Sequence, residues 1–531
     1  MKHAISATLL ILLLVTTTLA QQKKAGPIFK HTMKMAWADI EPITDDDNGT
    51  YYLLYPYGAI MAGAVVGPKE YYIGRVDESL EMSKTGLLVL QKDEQEREFE
   101  FALESNGSIY VFSSYQDISE KTTYLYAQTF NKETFALNDD LRKIGQVDFT
   151  GENRFKNAVF EYEFSQDRSK LLITYYLLDK DGSLIRFGYD VLDSSLKRLS
   201  NWNGLVDMSE GIYQFDQFRI SNSGSVYLLT RFFSNKKEFN NSTKLKKDAL
   251  LSSSRSMVYE SDYEIKVIKF SHSSGSTKVL PVDLASQFIT VTDMVISGSK
   301  LTFIGFYAPV GSSLPEGAFY MEMDGNGKIL KTDKSHFGDL FIQPSDVSDK
   351  ENGLLNTAEY DSYRFVIKDI IHRSNGGFAL AAERTVTQTK TQNSGGYVTV
   401  TTVNHTDDIA VVDVSASGKI SKVHKIEKSQ QTMNLGYLFS SFYCTESKGK
   451  LLVFYTNLGK SNATMMGKMI KTKAYLTTID GQGNLDKKVI FSATSDRITL
   501  RAKDSYQRQD GNMVLYGHEN NRYSGFIEIT P

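Results

Sequence analysis

The chain of 531 residues has one cysteine, Cys444, only nine prolines, and two tryptophans, Trp37 and Trp202. Beyond its first twenty residues it has no long apolar run. One thiol excludes an internal disulfide framework. Stability must therefore come from a large buried core, and Cys444, beside aromatics in "SSFYCTES", reads as a small buried hydrophobe. The missing apolar runs exclude a spanning helix, which needs roughly 18 such residues. Charge is nearly balanced, with 60 basic against 63 acidic side chains and a formal net charge of −3. That balance gives no electrostatic footprint for nucleic acid.

What the chain has is a leader and a repeat. "MKHAISATLLILLLVTTTLA" combines Lys2, an apolar run from Leu9 to Val15 and small residues up to Ala20. This is the pattern of a secretory signal peptide. Residues 1–20 are expected to be the signal, and 21–531 one exported domain, periplasmic or extracellular.

Tyr and Phe number 30 each, and with short glycine turns they favour strands. A polar turn followed by about six strand-forming residues recurs along the chain. Examples are "DNGTYYLLYPY" (47–57), "SNGSIYVFSSY" (105–115), "SNSGSVYLLTRFF" (221–233), "SNGGFALAAE" (374–383) and "QDGNMVLYGHE" (509–519). Its eight copies align on positions 49, 107, 169, 224, 299, 376, 449 and 511. Each is followed by a hairpin such as "EYYIGRVDESLEM" (70–82), "AFYMEMDGNGKILK" (318–331) or "AYLTTIDGQGNLDK" (474–487). Most are preceded by one more strand-like segment, such as "YRFVIKDIIH" (363–372). Four strands per unit, repeated through one chain, predict an all-β propeller of four-stranded antiparallel blades. Eight blades are favoured, with seven, or a row of stacked sandwiches, as alternatives. The last unit stops at its third strand, "SGFIEITP". A bare sheet edge there would invite aggregation, so the segment from Gly26 to Lys34 is expected to supply the fourth strand and close the ring.

Residues 374–427 and 474–491 resemble the repeat of bacterial exported β-propeller proteins, which runs roughly DGGYxLAG…DxWLxKLDxxGNxxWxKxF. The repeat tryptophans are absent here. The resemblance implies a propeller and implies no reaction.

Catalytic motifs are missing: there is no His-Glu-x-x-His, no Gly-x-Ser-x-Gly and no phosphate loop. Gly325-Asn326-Gly327 and Gly481-Gln482-Gly483 read as hairpin tips. The run Asp45 to Gly49 spaces carboxylates as calcium would need, but it lacks a following bidentate Glu and doubles as a turn. The expectation is no cofactor, with calcium as an alternative. Paired acids in a central channel would suit glycoside chemistry, and Glu161, Glu163, Asp216 and Asp293 are the candidates in or near inner strands.

Three connections between motifs are long: 234–264, 384–408 and 458–473. The first and third carry a basic surplus, including Lys244, Lys246, Lys247, Lys468 and Lys471. Such loops carry function when a rigid scaffold positions them. The sequence therefore favours an exported, non-catalytic propeller that binds a partner, an acidic polymer or protein, through one loop-rich face. The alternatives are a secreted hydrolase or lyase acting on polysaccharide or peptide, and a structural envelope component.

Overall fold

The structure is a computed structural model. It describes residues 22–30 and 38–531, except 57–58, 62–63, 67–69, 93–94, 150–157, 179–183, 206–209, 236–262, 273–275, 313, 342–363, 395–396, 434–438, 458–471, 493–497 and 521–522. The proposed signal lies outside these residues.

Eight antiparallel blades form a ring. Blade 1 runs Ala38–Asp46, Gly49–Pro56, Tyr72–Val76 and Met82–Leu87 from channel to rim. In blade 2 the order is Glu98–Ser105, Ser108–Asp117 and Thr122–Asn131, with an outer strand in two pieces, Ala136–Leu137 and Arg142–Asp148. Blades 3 to 7 repeat the plan from inner strands Val159–Phe164, Ile212–Ile220, Gln287–Ser297, Arg364–His372 and Phe442–Ser447. Blade 8 opens with Thr499–Leu500, a short 3-10 turn at Ala502–Asp504 and Tyr506–Gln507, followed by Met513–Asn520 and Tyr523–Thr530. Each inner strand contacts the next, and the eighth returns to the first.

The core has the same periodicity. Eight clusters of buried apolar side chains lie one at each blade-to-blade interface. Seven blades are thereby ruled out. Leu103 and Ile173 meet between blades 2 and 3, for instance, and Leu452 and Leu515 between 7 and 8. Burying such faces at roughly 25 cal/mol per Å² supplies the stability that disulfides do not.

The repeated turn has a backbone cause. The inner and second strands of every blade are joined through a residue with positive φ: Gly49, Gly107, Arg168, Gly224, Gly298, Gly376, Gly449 and Gly511. At 373–377, Gly376 (φ +81°) donates its N–H to the Arg373 carbonyl at 2.9 Å, and Asn375 Oδ1 accepts from the Gly377 N–H at 2.9 Å. Glycine reaches this conformation with no Cβ penalty.

Ring closure follows the expectation and begins earlier in the chain. Gln22–Ala25 pairs with Thr530 to Ile527, and Phe29–Lys30 pairs with Ser524 and Tyr523. Residues 31–34 of the expected strand lie outside the described residues.

One expectation is corrected. Residues 384–408 are not a loop: they belong to a long hairpin, Phe378–Ser394 against Tyr397–Val414, in register to Ser394 opposite Tyr397. The Thr- and Val-rich composition that looked like a flexible insertion is that of a strand. Because every blade runs in the same sense, this hairpin and the connections after Phe233 and Asn457 open on one face. Short hairpin tips occupy the other.

Candidate site on the channel wall

Inner strands line the channel, and several bulge at one level. Register breaks fall between Pro42 and Thr44, Phe99 and Phe101, Phe215 and Gln217, Ile289 and Val291, and Ile367 and Asp369. A bulge adds one residue and re-aims its side chain. Four of the five extra residues reach the second strand of their own blade, Thr290 by donating its hydroxyl to the Phe306 carbonyl at 3.1 Å. Glu100 accepts from the Ser114 hydroxyl, Asp216 pairs with Arg231 at 2.9 Å, and Lys368 pairs with buried Glu383 at 2.9 Å. Asp216, a candidate from the sequence, is thus held by Arg231.

Beyond the bulges, four side chains from four adjacent blades gather around Arg219. Its guanidinium meets Asp293 Oδ1 at 3.1 Å and Glu163 Oε2 at 3.5 Å. It also donates to the carbonyls of Met294 and Phe218, both at 3.0 Å. Gln217 Oε1, on the same strand, accepts from the Met294 N–H at 3.0 Å. Asp369 completes the group, close enough to feel the charges of Asp293 and Arg219. Burial pushes the Glu163 carboxyl above the usual range. Arg219 opposes that shift, and Asp293 and Asp369 reinforce it. Burial likewise raises Asp369, with Asp293 adding to it. Three acids with one base form an acidic patch in which two carboxyls hold protons more readily than usual.

The structure thus brings Glu163 and Asp293 together and sends the other two candidates elsewhere. Glu161 accepts from the Tyr176 hydroxyl at 3.0 Å, and its carboxyl is raised by burial. Sequence reading missed Arg219 and Asp369. The available cue was two-residue alternation counted back from each turn, which reaches both residues before the bulges but does not single them out.

The Asp45–Gly49 run is the first-to-second-strand turn of blade 1 and a joint across the ring closure. Asp45 accepts from the Tyr506 hydroxyl at 2.5 Å and the Gln509 N–H at 3.2 Å. Asp46 pairs with Lys132 of blade 2 at 2.9 Å, which holds its carboxyl below the ordinary range against the opposing effect of burial. Among the described residues no three His, Cys, Asp or Glu side chains converge as metal ligands. Gly327 and Gly483 sit at hairpin tips with φ of +91° and +76°. Cys444 is buried in the core between blades 6 and 7, and burial raises its thiol pKa. All five lysines singled out from the sequence, Lys244, Lys246, Lys247, Lys468 and Lys471, lie outside the described residues. None of the described helices is long and apolar enough to cross a membrane.

No protein-family model matches this chain, and no curated protein does. Among solved structures it is similar to the Dos1 propeller, at 10% identity and a TM-score of 0.40 over 95% of this chain and 94% of that one. It is similar to the WD40 domain of SCAP from fission yeast, at 9% and 0.36 over 96% and 98%. A third likeness is to the β-propeller domain of the Trilobed protease from Pyrococcus furiosus, at 10% and 0.36 over 86% and 97%. Likeness this distant carries nothing about substrate, partner or activity.

Proposed function

We propose that the protein is an exported binding propeller that holds an acidic polymer or protein against its loop-bearing face and performs no chemistry of its own. Arg219 is the observation that supports this most. Its two ion pairs and two main-chain hydrogen bonds tie blades 3, 4 and 5 together. The acids that a channel enzyme would use are therefore partly committed to holding the ring. The long connections 234–263 and 458–472 carry Lys244, Lys246, Lys247, Lys468 and Lys471, on a chain whose net charge is −3. A clustered positive field recruits anionic partners and weakens as salt screens it. The test is retention of the mature chain on an anionic polysaccharide or acidic-protein matrix. Binding should fall with salt and vanish when the five lysines become Glu, with the melting curve nearly unchanged. Binding indifferent to both salt and substitution sinks the proposal.

A second reading rests on Asp369. A carboxyl with raised pKa, near other carboxylates, is the form a general acid takes. It would make the protein a secreted hydrolase or lyase acting on polysaccharide or peptide. Product release from a polysaccharide and peptide panel, abolished by Asp369→Asn, would establish it and displace the first reading.

A further inference from the structure

The chain crosses from blade 1 to blade 2 over a small hairpin, Gln91–Lys92 against Gln95–Glu96, which the Arg97 N–H tightens by donating to the Leu90 carbonyl at 3.0 Å. Arg97 is then turned inward and is only 6% exposed. Its Nε donates to Ser113 Oγ at 3.1 Å and its Nη2 to Gln128 Oε1 at 3.3 Å. Both partners are neutral, and among the described residues no carboxylate pairs with it. The other buried arginines among the described residues are matched by acids, Arg373 by Asp413 at 2.9 Å and Arg501 by Asp504 at 2.5 Å, as is half-buried Arg508 by Glu528 at 2.7 Å. A buried cation without a counter-ion is costly, because desolvation is not offset by attraction. Accordingly burial pulls the Arg97 pKa down from its ordinary value.

Arg97 also lines an open cleft of about 260 Å³. A single water needs only roughly 10–15 Å³ on such a measure. The walls are Leu87, Val89, Ala136 and Leu137, with Gln128, Asn138 and Asp139 as polar edges. Leu87 and Val89 are 44% and 63% exposed. The cleft lies where the outer strand of blade 2 is interrupted between Leu137 and Arg142. The gap is held open by Gln128, whose amide donates to the Asn138 carbonyl at 2.6 Å, and by Asp140, which accepts from the Thr129 N–H and hydroxyl at 3.0 and 2.6 Å.

We propose that this cleft is a binding site for a small monocarboxylate with an apolar body. The carboxylate would supply Arg97 with its missing counter-ion in the paired geometry a guanidinium favours. The apolar body would cover Leu87, Val89 and Leu137. Sulfate, which has no apolar body, would leave Leu87, Val89 and Leu137 uncovered. The site lies on blade 2, whereas Glu163, Asp293 and Asp369 sit on the inner strands of blades 3, 5 and 6.

The test uses the full mature chain and ligand-observed NMR titrations with hexanoate, hexanol, hexylamine and sulfate. Hexanoate should bind and the other three should not. Arg97→Met should weaken hexanoate by about tenfold or more, the loss expected for a charged hydrogen bond. Gln128→Glu places a carboxylate on the same guanidinium and should abolish hexanoate binding in a protein that still melts cooperatively. This variant keeps the test decisive if Arg97→Met fails to fold. Hexanol binding as well as hexanoate, or hexanoate binding unchanged by both variants, overturns the proposal.

Discussion

Blades 1 to 3 and blades 5 to 7 turn between third and outer strand in opposite ways. In the first group the tip residue in the left-handed region is large and apolar: Leu80 (φ +66°), Phe135 (+59°) and Leu196 (+60°). All three are buried. In the second group it is glycine: Gly327, Gly418 and Gly483. The neighbours reverse to match. Leu80 lies over Gly26 of the preceding blade, and Phe135 over Gly86; a Cβ on either glycine would clash with the tip residue. Conversely Gly327, Gly418 and Gly483 lie against Leu280, Tyr320 and His424 of the blade before. At five of these six joints one large side chain meets one glycine, but the two sides exchange roles. What repeats is the contact, not the residue at a given place in the unit. A left-handed Leu or Phe costs roughly 1–2 kcal/mol, and burying it offsets that.

The largest test of this pairing removes a whole acceptor. Deleting residues 21–34 strips the outer strand from blade 8 and the seat of Leu80. The thermal midpoint should fall sharply in a calorimetric scan, and an unchanged midpoint would refute the closure. Next, Phe135→Gly empties a joint while relieving its backbone. The cavity cost of about 3–5 kcal/mol, less roughly 1 kcal/mol of strain, should leave a net loss of about 2–4 kcal/mol in urea unfolding. A smaller effect is expected for Gly327→Leu, which adds strain and crowds Leu280: about 1–3 kcal/mol. Pairing it with Leu280→Ala should recover part of that loss, and strict additivity of the two changes would argue against exchanged roles.

The smallest effect is in pH. His424 packs on Gly483 with neither ring nitrogen hydrogen-bonded, and burial lowers its pKa. The unfolded chain then binds the proton more readily, so stability should decline as pH falls below about 6.5. His424→Leu should flatten that part of a Tm-against-pH curve. Glu163 and Asp369, raised by burial, act in the opposite sense. Their contribution is present at acid pH and is lost as pH rises through their folded pKa values.

The exchange of roles explains what could be read from the sequence. Tips of the "DGNG" and "DGQG" kind announce themselves, and the resemblance to a known repeat is carried by residues 374–427 and 474–491, in the half with glycine tips. "DESLEM" also reads as a hairpin, but Leu80 gives no hint that it adopts positive φ. Strand order and ring closure were legible because turn and strand chemistry is local. The channel cluster was only half legible. Glu163 and Asp293 could be placed near inner strands, but nothing in the sequence sets Asp369 apart from the other polar residues there. The bulge at Asp216 withdrew that acid from the channel. The missing counter-ion of Arg97 has no trace in the sequence, since Glu96 and Glu98 flank it.

The pairing of Gln22 with Thr530 also sets an order in time. Synthesis from the N-terminus delivers the closing strand first and its partner last. The early segment must therefore wait, unpaired, while seven blades assemble behind it. Bringing two such distant segments together carries the largest loop-closure entropy in the molecule. Closure is then the last event in folding and, in reverse, the first place where the ring opens.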